Sequence, residues 1–264
     1  GMQFAALTYR LPDGTLYLAF RGTDDTLLGW KECFSMSFTA AVPAQHRAVA
    51  YLSAVARQLP GRLRLGGHSK GGNLAVWAAV HASLPVRRRI LQVYNNDGPG
   101  FSRDLTRTRA YRSLAGRIVT FIPQSSVVGV LLHQDNRYQV IKSLQTGTVG
   151  QHDPLSWEVR GTAFRRMRQQ SLLGRRKAAA LQGWIRSMSH QEREEFTEVF
   201  FGLLDSTNAK TLSDLTDSLM DSAFTVMKAY VRLEPATRQK LRTYLLRLLV
   251  NLGTGGRMTP PSKP

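Results

Sequence analysis

Residues 63–82 run Leu-Arg-Leu-Gly-Gly-His-Ser-Lys-Gly-Gly-Asn-Leu-Ala-Val-Trp-Ala-Ala-Val-His-Ala, and this stretch decides the fold. Its first three residues predict a short β-strand, and residues 72–82 predict a helix of small side chains. Between them, Gly67 to Gly71 have the spacing G-x-S-x-G. Small residues two before and two after the serine avoid backbone clashes in a sharp strand-to-helix turn. The stretch therefore predicts such a turn, with Ser69 at its tip as a candidate nucleophile.

The residues around this turn predict an α/β architecture. Residues 4–11 and 15–20 flank Pro12-Asp13-Gly14, which favours a turn, so they predict a hairpin. A helix is predicted over residues 43–59, and further strands are predicted over residues 90–94, 117–122 and 138–141. Strands separated by helices of this length indicate a mostly parallel sheet with helices on both faces.

After Trp157 the pattern changes from strands to helices. Four helices are predicted, over residues 171–187, 191–205, 212–232 and 235–252. The predicted organisation is a core over residues 2–160, a helical region over 161–252, and a disordered Gly/Pro-rich tail over 253–264. The third helix carries one apolar face, formed by Leu212, Leu215, Leu219, Phe224, Met227 and Val231. We expect the other helices and the core to cover that face, as a cap beside the site. The alternative is that the face docks on a membrane or on a second subunit.

Several motifs resemble those of class 3 lipases. They are Leu18-Ala19-Phe20-Arg21-Gly22-Thr23-Asp24 followed by Trp30, and then residues 67–75. A closer resemblance is to an uncharacterised bacterial α/β-hydrolase family akin to those lipases. Its further motifs lie at residues 96–101, 122–129 and 151–157. The resemblance implies an α/β-hydrolase-like, mostly parallel sheet flanked by helices, with a C-terminal all-helical region. The resembling hydrolases also carry residues before the strand at Phe4, so we expect one sheet edge or part of the pocket wall to be open here, or to be filled by a partner chain.

The resemblance also implies roles for particular residues. It implies that Ser69 is the nucleophile and that His152, which an aromatic residue follows five positions later, is the general base. The backbone N–H of Lys70 and Thr23 would form the oxyanion hole. We expect the Lys70 side chain to lie in solvent, as lysines at helix starts usually do, with a contact to an anionic substrate head group as the alternative.

The acid is harder to assign from the sequence. The lipases imply an aspartate after the strand at 117–122, where this chain has Gln124-Ser125-Ser126-Val127 and no carboxylate. Asp97 follows the preceding strand, and we take it as the candidate acid that orients His152. The alternative role for Asp97 is to cap the turn that follows it. Asp135 is the second candidate acid.

Five other histidines compete with His152 for the role of base. His133 also fits the chain order of serine, acid and histidine, but it precedes the last predicted strand, whereas His152 follows it. His68 lies inside the turn, and we expect it to point away from the working face of Ser69. His46 and His81 are expected at the surface, and His190 in the helical region.

The composition of the chain limits its possible location, cofactors and partners. Cys33 is the only cysteine, which excludes an internal disulfide and favours a cytoplasmic location; we expect it to be buried and inert. No cofactor or metal is expected, because no His, Cys or carboxylate cluster has ligand spacing. The net charge of +18 favours polyanionic partners. Basic residues crowd the entry to the helical region, namely Arg165, Arg166, Arg168, Arg175, Arg176 and Lys177.

Two functions follow from these observations. The first is hydrolysis of a small-molecule carboxylic ester, of a lipid or another acyl compound, by Ser69, His152 and Asp97. The second is a non-catalytic protein with a hydrolase fold, held by its basic helices to an anionic membrane surface. Nucleic acid is not an expected partner, because the chain has no recognised nucleic-acid-binding module.

Overall fold

The computed structural model describes residues 3–24, 26–101, 103–132, 138–147, 150–207, 209–211, 214–215 and 219–254. The strands are Ala6–Arg10 (β1), Leu16–Phe20 (β2), Leu63–His68 (β3), Ile90–Asn96 (β4), Ile118–Pro123 (β5), Tyr138–Ile141 (β6), Val159–Arg160 (β7) and Ala163–Phe164 (β8). The helices are Leu27–Ser35 (α1), Pro43–Gln58 (α2), Lys70–His81 (α3), Leu84–Arg89 (α4), Arg103–Arg107 (α5), Arg109–Leu114 (α6), Leu172–Arg186 (α7), His190–Asp205 (α8), Leu219–Arg232 (α9) and Pro235–Thr254 (α10).

The chain divides into two compact units. The first, the sheet unit, comprises residues Phe4–Gly22 and Pro43–Ala178; the second, the helical unit, comprises Gly1–Gln3, Thr23–Val42 and Ala179–Pro264. The sequence predicts contiguous ranges, 2–160 and 161–252, whereas this division places residues 23–42 with the C-terminal helices. Aromatic packing within the helical unit explains this grouping. The centroid of the Phe34 ring in α1 lies 5.9 Å from the Trp184 ring centroid and 5.6 Å from the Phe196 ring centroid.

The sheet unit contains a six-stranded sheet in the order β1-β2-β3-β4-β5-β6. The hairpin partners β1 and β2 are antiparallel, and every later pair is parallel. The predicted mostly parallel α/β sheet is therefore confirmed, with strands close to the predicted ranges. The alternating side chains of β2, Leu16, Leu18 and Phe20, are buried on one face of the sheet.

Helix α3 packs against the strands that precede and follow it. Its Ala75, Ala78 and Ala79 side chains are fully buried, as are Leu65 of β3 and Val93 of β4. Small side chains allow a helix to approach a sheet closely, which is why the predicted small-residue helix forms here. Since β3, β4 and β5 run parallel, their carboxyl ends lie at one edge of the sheet, and the candidate site is built along that edge.

The predicted C-terminal helices are present, as α7 to α10. A capping box starts α8: the Ser189 hydroxyl accepts a hydrogen bond from the Glu192 N–H, and the Glu192 carboxylate accepts one from the Ser189 N–H. On the predicted apolar face of the third helix, Leu215 is half-buried. Phe224, Met227 and Val231 are 73%, 59% and 59% exposed, so the expected cover does not extend to these three residues. Leu212 lies outside the described residues. None of the described helices has the length and apolar character needed to cross a membrane.

Candidate active site

Ser69 stands in the predicted turn between β3 and α3. Its backbone has φ 56° and ψ −130°, and its side chain is 7% exposed. A positive φ at a residue with a β-carbon costs about 1–3 kcal/mol and persists only where the surroundings impose it. Here the Ser69 N–H donates a hydrogen bond to the Asn96 carbonyl oxygen at 2.9 Å, which ties the turn to the end of β4.

The glycines on either side of Ser69 are required by close backbone packing. A β-carbon on Gly71 would lie 2.1 Å from the Phe20 carbonyl oxygen, and one on Gly67 would lie 2.4 Å from the same oxygen. Both distances are too short for any real contact, so side chains at these positions would force β2 and α3 apart. The spacing that predicts the turn from the sequence is thus explained by the contact of α3 with the end of β2.

Asp97 follows β4 and is fully buried, and its backbone also has a positive φ, of 52°. Its Oδ2 atom lies 2.7 Å from His152 Nδ1 and accepts a hydrogen bond from Ser126 Oγ at 2.5 Å. Its Oδ1 atom accepts from the Gly129 N–H at 3.0 Å. Burial raises the pKa of the Asp97 carboxyl, and the hydrogen bonds from His152, Ser126 and Gly129 oppose that rise. Three donors therefore hold this buried carboxyl in one orientation.

Ser126 and Gly129 come from the loop after β5, where the lipase pattern places an acid. From the sequence, this loop is distinguished only by its lack of a carboxylate. In the structure, its serine hydroxyl and its glycine N–H bind the carboxylate of the preceding strand instead. A β-carbon on Gly129 would lie 2.3 Å from Asp97 Oδ1, so only glycine allows this approach. In the sequence, this role of the loop is indicated by a serine and a glycine within a few residues of the strand end.

Two buried amides fix the loop that follows Asp97. Asn73 of α3 donates from Nδ2 to the carbonyl oxygens of Pro99 and Gly100, both at 3.1 Å, and accepts from Gln45 Nε2 at 2.8 Å. Asn95 accepts a hydrogen bond from the Gly98 N–H at 3.0 Å. These contacts show why asparagines and glycines cluster after Ser69 and around Asp97.

His152 ends a short 3₁₀ turn, Gly150–His152, and packs against His68. The centroids of the two imidazole rings lie 4.5 Å apart, and His68 Nε2 lies 2.7 Å from the His152 carbonyl oxygen. A carbonyl oxygen can only accept, so the proton of neutral His68 is on Nε2. The Trp157 ring lies 5.8 Å from that of His68, and Trp157 Nε1 donates to the Gln151 carbonyl oxygen at 3.0 Å. His68, which was not predicted to contribute to the site, thus supports the segment that carries His152.

Burial and, to a smaller extent, the neighbouring His152 ring together lower the pKa of His68 to about 4. His68 is therefore neutral at physiological pH.

The structure brings Asp97 and His152 into direct contact. It connects Ser69 to the end of β4 through the backbone, while no hydrogen bond joins the Ser69 hydroxyl to the His152 ring within the described part of the chain. The competing residues His133 and Asp135 lie outside the described residues. His46, His81 and His190 are exposed, in agreement with their predicted surface and helical positions.

The candidate oxyanion-hole residues occupy different units. Lys70 is the first residue of α3, where backbone N–H groups have no partner within the helix. Its side chain is 1% exposed, so the expected solvated lysine is wrong. Thr23 belongs to the helical unit, where its hydroxyl lies 2.8 Å from Cys33 Sγ, and Cys33 is half-buried instead of buried as expected. Gly22, directly before Thr23, belongs to the sheet unit; a β-carbon there would lie 3.4 Å from Ser69 Cβ.

No group of three or more His, Cys, Asp or Glu side chains is arranged to hold a metal ion among the described residues. A comparison with curated proteins found no match. The model of one protein family, described as Mbeg1-like, matches residues 1–202, which is more than half of the chain. The chain therefore belongs to the Mbeg1-like family.

Proposed function

We propose that this protein is a serine hydrolase with an α/β-hydrolase-like fold, which cleaves carboxylic esters of lipids or other acyl compounds. The observation that carries the proposal is the buried contact of 2.7 Å between Asp97 and His152, beside a serine held at positive φ in a strand-to-helix turn. The chain order of serine, acid and histidine is that of α/β-hydrolases. The sheet supports the same fold, because the serine and the acid follow neighbouring parallel strands.

The geometry supports a three-residue mechanism. A carboxylate can only accept, so Asp97 orients the His152 tautomer that has its proton on Nδ1. His152 Nε2 is then available to take the proton of Ser69 as the hydroxyl attacks the ester carbonyl. Asp97 stabilises the imidazolium that forms, and the same proton passes to the leaving alkoxide. Water then attacks the acyl-enzyme ester through the same base and releases the acid.

The negative charge on the carbonyl oxygen requires donors near Ser69. The N–H of Lys70 is the first of α3, and a helix N-terminus carries a partial positive charge. The N–H of Thr23 is the second donor that the resemblance implies, and this role stays a prediction. Removing one such donor costs about 10²–10³-fold in turnover in a serine protease.

Ester hydrolysis with purified variants tests the proposal. The wild-type protein should hydrolyse p-nitrophenyl butyrate, whereas Ser69→Ala and His152→Ala should lose at least about 10³-fold in kcat. His81→Ala, at an exposed histidine, is the matched control and should retain full activity. Activity in Ser69→Ala equal to that of the wild-type protein would exclude the serine mechanism. Loss in His133→Ala with full activity in His152→Ala would transfer the role of base to His133.

The non-catalytic alternative predicts a different result from the same assay. An inert hydrolase-fold protein would show no turnover that depends on Ser69, with any short-chain or long-chain ester. The substrate panel should therefore include esters of several acyl lengths and a phospholipid.

A further inference from the structure

The last two helices of the helical unit expose large apolar side chains. In α9, Phe224, Met227 and Val231 are 73%, 59% and 59% exposed. In α10 the exposed apolar side chains are Leu245 (36%), Leu246 (50%), Leu249 (63%), Val250 (44%) and Leu252 (46%). Single exposed apolar residues are ordinary, whereas several on one face of a helix indicate an interaction surface. We call these eight residues the apolar stripes.

Each stripe lies on one side of its helix. Phe224, Met227 and Val231 are spaced i, i+3, i+7, so they fall on the same face of α9. In α10 the buried Leu241 and Tyr244 face the interior of the helical unit. Leu246, Leu249 and Val250, spaced i, i+3, i+4, lie on the opposite side of the same helix. Leu245 follows Leu241 by four residues, so Leu245 lies at the border between the two sides. The centre of each stripe is therefore separate from the buried face of its helix.

Exposed cations border the stripes. Lys228 lies one turn after Phe224, Arg232 directly follows Val231, and Arg242 lies one turn before Leu245 and Leu246. The segment 219–254 has six Lys or Arg and two Asp or Glu, which gives a net charge of +4.

These bordering cations differ from others in the segment. Lys240 and Arg247 pair with Glu195 and Glu192. Lys228, Arg232 and Arg242 have no acidic partner among the described residues. They are therefore available to an external anion.

We propose that the segment 219–254 docks on an anionic lipid surface through the apolar stripes. Aliphatic and aromatic side chains beside cations fit the boundary between acyl chains and negatively charged head groups. A second copy of this chain fits less well, because two segments of charge +4 would be brought together. The proposal does not depend on Ser69, although it would place a lipid esterase at its substrate.

Vesicle co-sedimentation tests this proposal, with Ser69→Ala as the background so that the lipid is not hydrolysed. The protein should sediment with vesicles that contain phosphatidylserine and much less with vesicles of phosphatidylcholine alone, and added salt should weaken the binding. Each Lys or Arg near an anionic surface contributes about fivefold in affinity, so Lys228→Glu/Arg242→Glu should weaken binding at least about 20-fold. Leu245→Glu/Leu249→Glu should weaken it at least about tenfold.

Helix α4 of the sheet unit offers matched controls. Leu84 is 54% exposed and Arg88 is also exposed, so Leu84→Glu and Arg88→Glu make the same chemical changes outside the stripes. Both should bind as the unmodified background does. Circular dichroism establishes that each variant is folded.

Two results would overturn the proposal. One is equal sedimentation with neutral and anionic vesicles, or none with either. The other is a dimer in light scattering that Leu245→Glu/Leu249→Glu dissociates, since a second copy would then be the occupant. Either result leaves the hydrolysis assay unaffected, so failure here is distinct from failure of the proposed mechanism.

Discussion

Replacing Ser126 by alanine removes one of the three donors to the Asp97 carboxyl. The Ser126 side chain is fully buried, and its hydroxyl donates to the same oxygen, Oδ2, that faces His152. A hydrogen bond to a charged group contributes about 1.5–3 kcal/mol. In the proposed mechanism Asp97 acts on the transition state through His152, so losing all of this contribution would reduce kcat by roughly 10- to 150-fold. The substrate does not contact Ser126 in this mechanism, so KM should stay within about twofold.

Ser125 provides the matched control. Its hydroxyl lies 2.6 Å from the Ser171 hydroxyl, not against Asp97, although it is the chain neighbour of Ser126. Steady-state hydrolysis of p-nitrophenyl butyrate by both alanine variants, with thermal melting to verify folding, separates the two roles. Ser125→Ala should retain the wild-type kcat. Ser126→Ala with an unchanged kcat, or an equal loss in both variants, would refute the assignment of Ser126 as a positioning residue for Asp97.

Three further predictions concern Asp97, Gly129 and His68. Asp97→Asn should lower kcat by about 10⁴-fold, as in a serine-protease triad, whereas a tenfold loss would indicate that Asp97 only caps its turn. Gly129→Ala places a β-carbon 2.3 Å from Asp97 Oδ1 and should lower both kcat and the melting temperature, while Gly116→Ala, with nothing within 4 Å, should change neither. The folded-state pKa of His68, about 4, lies below the unfolded value, so its contribution to stability is complete above about pH 6.5 and is lost as the pH falls towards 4. The free energy of unfolding, measured with urea, should therefore fall by about 2 kcal/mol between pH 7.5 and pH 5 because of His68. This decrease should be absent in His68→Phe. The same pH dependence in the variant and in the wild-type protein would contradict the assigned pKa.

Local patterns in the sequence were sufficient to predict most of the sheet. The turn at residues 12–14 and the alternation of β2 specify a hairpin from neighbouring residues alone. The glycines around Ser69 predict the strand-to-helix turn, because backbone clashes there depend on residue size. The proximity of Asp97 to Ser69 also follows from local information, since carboxyl ends of adjacent parallel strands meet.

Long-range packing accounts for what the sequence did not predict. Nothing near Ser126 in the chain indicates that its hydroxyl meets a carboxylate 29 residues earlier. The same is true of His68, whose contact with His152 joins residues 84 apart. Burial of the Lys70 side chain contradicts the ordinary behaviour of lysine, so composition alone could not reveal it. The grouping of residues 23–42 with the C-terminal helices depends on aromatic contacts such as Phe34 with Trp184.

Covalent labelling of Ser69 tests the central claim most directly. A fluorophosphonate reacts with a serine hydroxyl only where a base activates it, and peptide mass spectrometry locates the modified residue. The account predicts one adduct, on Ser69, formed in the native protein. It also predicts that His152→Ala prevents the adduct and that Ser125→Ala does not. An unlabelled native protein, or an adduct on any serine other than Ser69, would contradict the account.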